Sequence, residues 1–230
     1  MKLTVSEQLL LLALKDEKGT VVSKASMALN FGLAGALLLE MTVNERIDIQ
    51  DGKLVVQNST PSGEPLHDEA LALLTGKKGK QKPVKYWVPR LASKIKKLRH
   101  KVADRLVLSG ILRQEKKRIL GIFPSVRYPT QNPLPELEAR EQLKHTVLEG
   151  NSPSMETRMV LNLVKACDLS DEVFGKDQRK RVKERFKELE KDPGDGEVVG
   201  KAISESVQAV QAAVMLSITT AVIASSASSH

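Results

Sequence analysis

Apolar residues recur at helical spacing along most of the chain, and this pattern predicts a mainly α-helical protein. Thr4 begins a capping-box sequence, which predicts a first helix over residues 4–14. A second helix, rich in Ala and Leu, is predicted over residues 23–41. It contains Gly32 and Gly35, and a glycine inside a helix costs about 1 kcal/mol relative to alanine. We therefore expect a neighbouring helix to pack closely against these glycines.

Two segments are predicted to form β-hairpins. Residues 46–56 read RIDIQDGKLVV, in which alternating residues flank the pair Asp51-Gly52, and that pair is typical of a two-residue hairpin turn. Residues 111–128 predict a second hairpin. At its centre lie Ile119, Leu120, Gly121, Ile122 and Phe123.

Further amphipathic helices are expected around a buried helical bundle. From Pro89 to Gly110 one helix is predicted, because its apolar residues keep helical spacing while its other faces are cationic. Helical patterns also cover residues 68–74, 136–149, 154–167, 176–191 and 197–225. Residues 76–83 (GKKGKQKP) have no apolar anchor and predict a flexible basic loop. The fold class is thus mainly α, with one globular domain over residues 1–230 and two β-hairpins.

The C-terminal run over residues 209–227 is long enough for a transmembrane helix. Its apolar residues are mostly Ala and Val and are interrupted by Ser, Thr and Gln, which favours a buried core helix over a membrane span. The N-terminal residues lack the flanks of a secretory signal, and Cys167 is the single cysteine. We therefore expect a cytoplasmic protein without internal disulfides.

The net charge of +8 is concentrated in one block. Between Lys77 and Arg118 the chain has 16 Lys or Arg residues and two acidic residues, whereas the remaining 188 residues carry a net charge of −6. A solvated helix face normally mixes both signs, so a one-sign block indicates a polyanionic partner. That partner is either a nucleic acid or an anionic lipid surface.

No catalytic or metal-binding pattern is found in the sequence. Walker A, GxSxG and HExxH motifs are absent, and the four histidines, His67, His100, His145 and His230, are widely scattered. Cys167 lies on an apolar helical face and is expected in the core. The prediction is a protein that is not an enzyme and that needs no cofactor or metal.

The apolar centre of the second hairpin has two interpretations. It directly follows Lys116, Lys117 and Arg118, so it is either a buried central strand or an exposed interface. Cationic residues beside an exposed apolar tip provide both terms of interfacial membrane binding, and this favours the interface. A winged-helix-like nucleic-acid-binding protein is the alternative, since a basic helix before a hairpin also suits DNA. Aromatic residues make up only 3% of the chain, so few bases could stack, and no nucleic acid partner is expected.

Five segments resemble, in order and spacing, the Golgi phosphoprotein 3 family. They are LTVSEQLLLLALKDEKG (3–19), GLAGALLLEM (32–41), RIDI (46–49), PSGEPLHDEAL (61–71) and the basic helix with its hairpin (94–123). The resemblance implies a mostly helical fold and a peripheral membrane protein that recognises phosphatidylinositol 4-phosphate, on Golgi membranes in a eukaryote. It also implies an adaptor that binds the cytosolic tails of membrane proteins for sorting or Golgi retention.

The resemblance also implies which residues contact lipid. The family's two headgroup-binding basic residues correspond to Lys96 and Arg99, whose spacing places both on one face of a helix. Arg90, Lys97 and Lys101 complete the predicted headgroup-binding set. The membrane-inserting residues of the family correspond to Ile119, Leu120, Ile122 and Phe123. The tryptophan and arginine of the family's pocket correspond to Ala25 and Ala34, so little discrimination between anionic lipids is expected.

Overall fold

The computed structural model describes residues 2–76, 81–119, 122–191 and 198–227, and these residues are mainly helical. The helices are α1 (Val5–Leu12), α2 (Leu29–Val43), α3 (Pro65–Thr75), α4 (Val84–Lys94), α5 (Leu98–Leu108), α6 (Leu134–Val147), α7 (Met155–Ala166), α8 (Ser170–Phe174), α9 (Arg179–Lys191) and α10 (Val198–Ala227). The strands are β1 (Leu14–Lys15), β2 (Thr20–Val21), β3 (Ile47–Gln50), β4 (Lys53–Val56), β5 (Glu115–Ile119) and β6 (Phe123–Arg127). They form three two-stranded antiparallel hairpins, β1–β2, β3–β4 and β5–β6.

Helix α2 is the centre of the bundle and contacts α1, α4, α7 and α10. It is apolar on every side and almost entirely buried, as expected of a helix surrounded by others. Its glycines allow this close contact. A Cβ atom at Gly35 would lie 2.8 Å from Cγ2 of Val214 and 3.0 Å from Cγ1 of Val210, and one at Gly32 would overlap Sγ of Cys167. The prediction of tight helix packing at these glycines is confirmed.

The first helix begins at the predicted cap. The Thr4 hydroxyl accepts a hydrogen bond from the Glu7 amide at 3.3 Å, and the Glu7 carboxylate accepts one from the Thr4 amide at 2.8 Å. The buried Glu40 carboxylate accepts a further bond from the Ser6 amide at 2.7 Å, and its other oxygen contacts Nε2 of His67. Amides that the helix leaves unpaired at its N-terminus are thus bonded to carboxylates.

The hairpin predicted over residues 46–56 is present as β3–β4. Asp51 and Gly52 form its two-residue turn with φ angles of 50° and 69°, and Gln50 pairs with Lys53 across it. Positive φ at both turn positions is the requirement that the Asp-Gly pair satisfies.

Two predicted helices have different bounds in the structure. The second helix begins at Leu29 rather than at residue 23, and a short 3-10 helix covers Ser23–Ala25. The single helix predicted from Pro89 to Gly110 is wrong. The chain forms α4 and α5 instead, separated by residues 95–97. Ile95, the first residue of this break, and Leu98, the residue after it, are both buried. The apolar spacing is therefore the same for one helix as for two.

The C-terminal helix is buried over only part of its length. One face is buried as far as Ser217, in agreement with the core helix that was predicted, but residues 219–227 are exposed apart from the half-buried Ala221. Within the described residues, Val207–Ala227 is long and apolar enough to cross a membrane. Of the predicted basic loop over 76–83, residues 77–80 lie outside the described part of the chain.

Candidate membrane-binding surface

The second hairpin extends from the bundle and displays cations and an apolar turn residue. Its strands pair from Glu115 with Arg127 to Ile119 with Phe123, close to the predicted bounds. Lys116, Lys117 and Arg118 are exposed on β5, and Ile122 in the turn is 74% exposed. The interpretation of the apolar run as a buried central strand does not hold for Ile122. Leu120 lies outside the described residues, as do the side chains of Ile119 and Phe123.

The base of this hairpin is fixed to two other parts of the fold. The backbone amide of Tyr128 donates to the carbonyl of Gly19 at 2.9 Å, and that of Thr130 donates to the carbonyl of Asp16 at 3.0 Å. The Tyr128 hydroxyl donates to Oδ1 of Asp104 on α5 at 3.2 Å and lies 2.9 Å from Nδ1 of His100. The hairpin is therefore held at a defined position beside the first turns of α5.

The turn between α4 and α5 is a second exposed cationic feature. Lys94, Lys96 and Lys97 are exposed there, and none of them forms an ion pair with a described acidic residue. Lys97 has φ 55° and ψ 36°, a left-handed conformation that costs a residue with a side chain roughly 1–2 kcal/mol. Buried Ile95 and Leu98 hold it there.

Lys96 and Arg99 do not share a helix face, which corrects the geometry expected from their spacing. Lys96 lies in the turn and Arg99 in the first turn of α5, because the predicted helix is interrupted between them. They remain near each other through the chain, with Lys97 between them. We call Lys94, Lys96, Lys97 and Arg99 the basic turn.

The basic turn lies next to the base of the hairpin. Burial lowers the pKa of His100, and the charges of Arg99 and Lys97 lower it further, whereas Asp104 opposes them. Burial likewise raises the pKa of Tyr128, with Arg99 acting in the opposite direction. Arg99 directly precedes His100 in α5, and Nδ1 of His100 lies 2.9 Å from the Tyr128 hydroxyl at the base of the hairpin. The basic turn and the hairpin thus adjoin each other.

Arg90 and Lys101 are held by other residues. The Arg90 guanidinium lies 5.7 Å from the centre of the Tyr86 ring, and Lys101 forms an ion pair with Glu69 on α3. Arg105, one turn further along α5, contacts Glu7 at 3.3 Å and Glu64 at 2.8 Å. Two cations of α5, Lys101 and Arg105, are therefore neutralised by acidic residues of the fold, whereas the lysines of the basic turn have no described ion pair.

The described ranges contain neither a metal-binding cluster nor a reactive cysteine. They hold no group of three or more His, Cys, Asp or Glu side chains arranged for a metal ion. Cys167 is completely buried, and burial raises its pKa to about 12, so it lacks the thiolate that a nucleophile requires. The expected core position of Cys167 is confirmed.

Comparison with known proteins identifies the family. The sequence model of Golgi phosphoprotein 3 (GPP34) matches residues 5–210, which is most of the chain. The chain belongs to the Golgi phosphoprotein 3 family. It is 27% identical over 167 residues to vacuolar protein sorting-associated protein 74 from Eremothecium gossypii, and the alignment covers 64% of this chain and 48% of that protein. This chain thus aligns with about half the length of that curated relative.

The Golgi phosphoprotein 3 resemblance placed two pocket positions at Ala25 and Ala34. Both alanines are completely buried, Ala25 in the 3-10 helix before α2 and Ala34 within α2. Neither presents a side chain to a ligand at the surface. In this member of the family, the basic turn and the hairpin offer exposed cations and the exposed Ile122 in one region.

Sequence reasoning missed the residues that position this surface. Asp104, Gln114 and Tyr128 come from α5, the connection to β5 and the end of β6, and Nε2 of Gln114 donates to Asp104 at 3.3 Å. Their contacts join positions far apart in the chain, so no local motif indicates them. The nearest signal was a histidine and an aspartate on adjacent turns of a basic helix, which by itself is ordinary.

Proposed function

We propose that this chain is a peripheral membrane protein that docks on anionic phospholipid, on the cytoplasmic face of Golgi membranes in a eukaryotic cell. The observation that carries the proposal is the exposed Ile122 in the turn after β5, a strand whose cations Lys116, Lys117 and Arg118 face solvent, beside the unpaired basic turn. Interfacial binding needs attraction to anionic headgroups and burial of apolar groups at the acyl boundary. This surface offers both within one adjoining region.

The magnitude of the electrostatic contribution suits reversible docking. Each Lys or Arg close to an anionic leaflet contributes about 1 kcal/mol. The unpaired cations Lys94, Lys96, Lys97, Lys116 and Arg118 would then contribute on the order of 5 kcal/mol together. Salt weakens such binding because the screening length falls to about 8 Å at physiological ionic strength.

The family resemblance implies recognition of phosphatidylinositol 4-phosphate, and Lys96 and Arg99 would bind its headgroup. Exposed Lys96 and half-buried Arg99 flank a strained lysine, so a doubly charged phosphate could approach them from the basic turn. The buried Ala25 and Ala34 supply no further contact. We therefore expect modest preference for this headgroup over phosphatidylserine when the total vesicle charge is matched.

An adaptor role, in which the docked protein binds the cytosolic tails of membrane proteins, is the second part of the proposal. Membership of the Golgi phosphoprotein 3 family supports it, as does the name of the matched relative, which is a vacuolar protein sorting-associated protein.

Vesicle sedimentation tests the proposal directly. The protein is mixed with vesicles of phosphatidylcholine alone, of phosphatidylcholine with phosphatidylserine, and of phosphatidylcholine with phosphatidylinositol 4-phosphate at equal total charge. We expect little binding to the first and salt-sensitive binding to both others. A gel shift on duplex DNA is run in parallel. Tight binding to DNA with no sedimentation on anionic vesicles would contradict the proposal and support the winged-helix-like alternative.

A further inference from the structure

The end of α10 leaves the surface of the bundle. Val207, Val210 and Val214 pack into the core, whereas nearly all of residues 219–227, which we call the terminal segment, are exposed. The match to the family model ends at residue 210, before this segment. The family match therefore does not extend to the terminal segment.

The exposed side of this helix end is apolar and uncharged. Met215, Leu216, Val222 and Ile223 are between 45% and 62% exposed, and helical spacing places them on one side. No Asp, Glu, Lys or Arg occurs between Val207 and Ala227. A contiguous apolar stripe of this kind on an exposed helix usually marks an interaction surface.

The hydroxyl groups of the terminal segment bond within the helix. The Thr219 and Thr220 hydroxyls donate to the carbonyls of Met215 and Leu216 at 3.0 and 2.9 Å. Those of Ser225 and Ser226 donate to the carbonyls of Val222 and Ile223, each at 2.8 Å. In an apolar medium every polar group needs an internal partner, and these four hydroxyls have one.

Area and charge favour a lipid surface over a second copy of the chain. About half of four apolar side chains amounts to roughly 400 Å², well below the ~800 Å² per partner that a stable protein interface buries. Helix α4, against which α10 packs, has no acidic residue and exposes Lys85 and Lys94. A second copy offers no acidic residue on α4 or between Val207 and Ala227 to complement these cations, whereas anionic headgroups do.

We propose that the terminal segment, together with Met215 and Leu216 just before it, is a second membrane-contact element, which buries Met215, Leu216, Val222 and Ile223 at the interface of a lipid bilayer. Its nine described residues rise about 14 Å and follow a stretch of α10 that the bundle covers up to Ser217, so we place them in the headgroup and outer acyl region. The inference rests on the proposed function only in sharing the bilayer as partner. Its residues are separate from the hairpin and the basic turn.

A tryptophan placed on the stripe tests this contact. Trp87, the single native tryptophan, is 1% exposed and gives a constant background. Ile223→Trp is compared with Gln208→Trp, which lies on an exposed position of the same helix before the stripe. With vesicles containing brominated phosphatidylcholine and phosphatidylserine, we expect a blue shift and strong quenching of the Ile223→Trp emission. The Gln208→Trp emission should change by less than a third as much.

Three other results separate this inference from the proposed function. If Ile223→Trp stays unquenched while the protein sediments with the vesicles, the terminal segment does not contact lipid and the inference is overturned. If anionic vesicles fail to bind the protein but Ile223→Trp is quenched on neutral ones, the proposed docking surface fails and the inference stands. A blue shift without vesicles that rises with protein concentration, with a dimer in analytical ultracentrifugation, identifies a second copy and overturns the inference.

Discussion

Replacing Ile122 with aspartate tests the hairpin tip without touching the core. The side chain is 74% exposed and lies in a turn, where aspartate is readily accommodated, so the free energy of unfolding should change by less than about 0.5 kcal/mol. On a membrane, full burial of such a side chain is worth about 1.5–3 kcal/mol, of which roughly three quarters is available here. Repulsion of the new charge by an anionic leaflet adds about 1 kcal/mol.

The expected loss is therefore about 2–3 kcal/mol, or a roughly 30- to 150-fold weaker partition onto anionic vesicles. Ile122→Asn removes the apolar contribution without adding charge and should lose about 1–2 kcal/mol. Leu137→Asp is the matched control, because Leu137 is 51% exposed on α6, which packs on α1, α7 and α9. Sedimentation over a lipid titration gives the partition coefficient, and thermal melting followed by circular dichroism gives the stability.

A folded Ile122→Asp protein that binds anionic vesicles within twofold of the unchanged chain would contradict insertion of the hairpin tip. An equal loss of affinity for Leu137→Asp would also contradict it, since binding would then depend on exposed apolar surface in general. A large drop in melting temperature for Ile122→Asp alone would show that the turn packs against the fold. That result would restore the buried interpretation of this hairpin.

Three further predictions concern the basic turn, the core and the hairpin base. Lys97→Gly relieves a left-handed conformation and should keep or raise the melting temperature. Its affinity for anionic vesicles should fall about fivefold, the contribution of one lysine. Unchanged affinity would show that Lys97 does not contact the membrane. Gly32→Ala should cost about 1–3 kcal/mol of stability because its Cβ overlaps Sγ of Cys167, and a second change, Cys167→Ala, should recover most of it in chemical denaturation. The pKa of His100 is lowered in the folded state because burial disfavours its charged form. Its contribution to the free energy of unfolding is therefore fully present above the unfolded pKa near 6.5 and is lost as pH falls below that value. Melting temperatures measured between neutral and mildly acidic pH should therefore fall more for the unchanged chain than for His100→Asn, and equal slopes would contradict the effect.

Local features of this protein are predictable where a few neighbouring residues determine the backbone. Thr4 with Glu7 satisfies the first amides of α1, and Asp51-Gly52 accepts the positive φ angles of a two-residue turn. Both depend on contacts within four residues, which is why the sequence pattern suffices. The charge block and the mainly helical class are likewise properties of composition and periodicity.

Other features depend on which parts of the chain meet in space. The apolar spacing from Leu91 to Leu106 fits one helix or two, and only the packing of Ile95 and Leu98 into the core decides for two. Nothing near Lys101 indicates that Glu69 neutralises it, because α3 supplies that carboxylate from 32 residues away. The availability of each cation therefore follows from the fold.

The sequence alone determined a helical protein, two of its three described hairpins, a one-sign basic block and an apolar run beside it, and it did not indicate the short β1–β2 hairpin. Whether that run is buried or displayed, and how far α10 is covered, were decided by tertiary contacts. Tyr128 and Asp104 anchor the hairpin base, while Ile122 at its turn stays exposed. The bundle covers α10 only as far as Ser217, although the helix continues to Ala227. Burial is a property of the neighbours that an apolar residue meets, and a periodic pattern gives its spacing but not those neighbours.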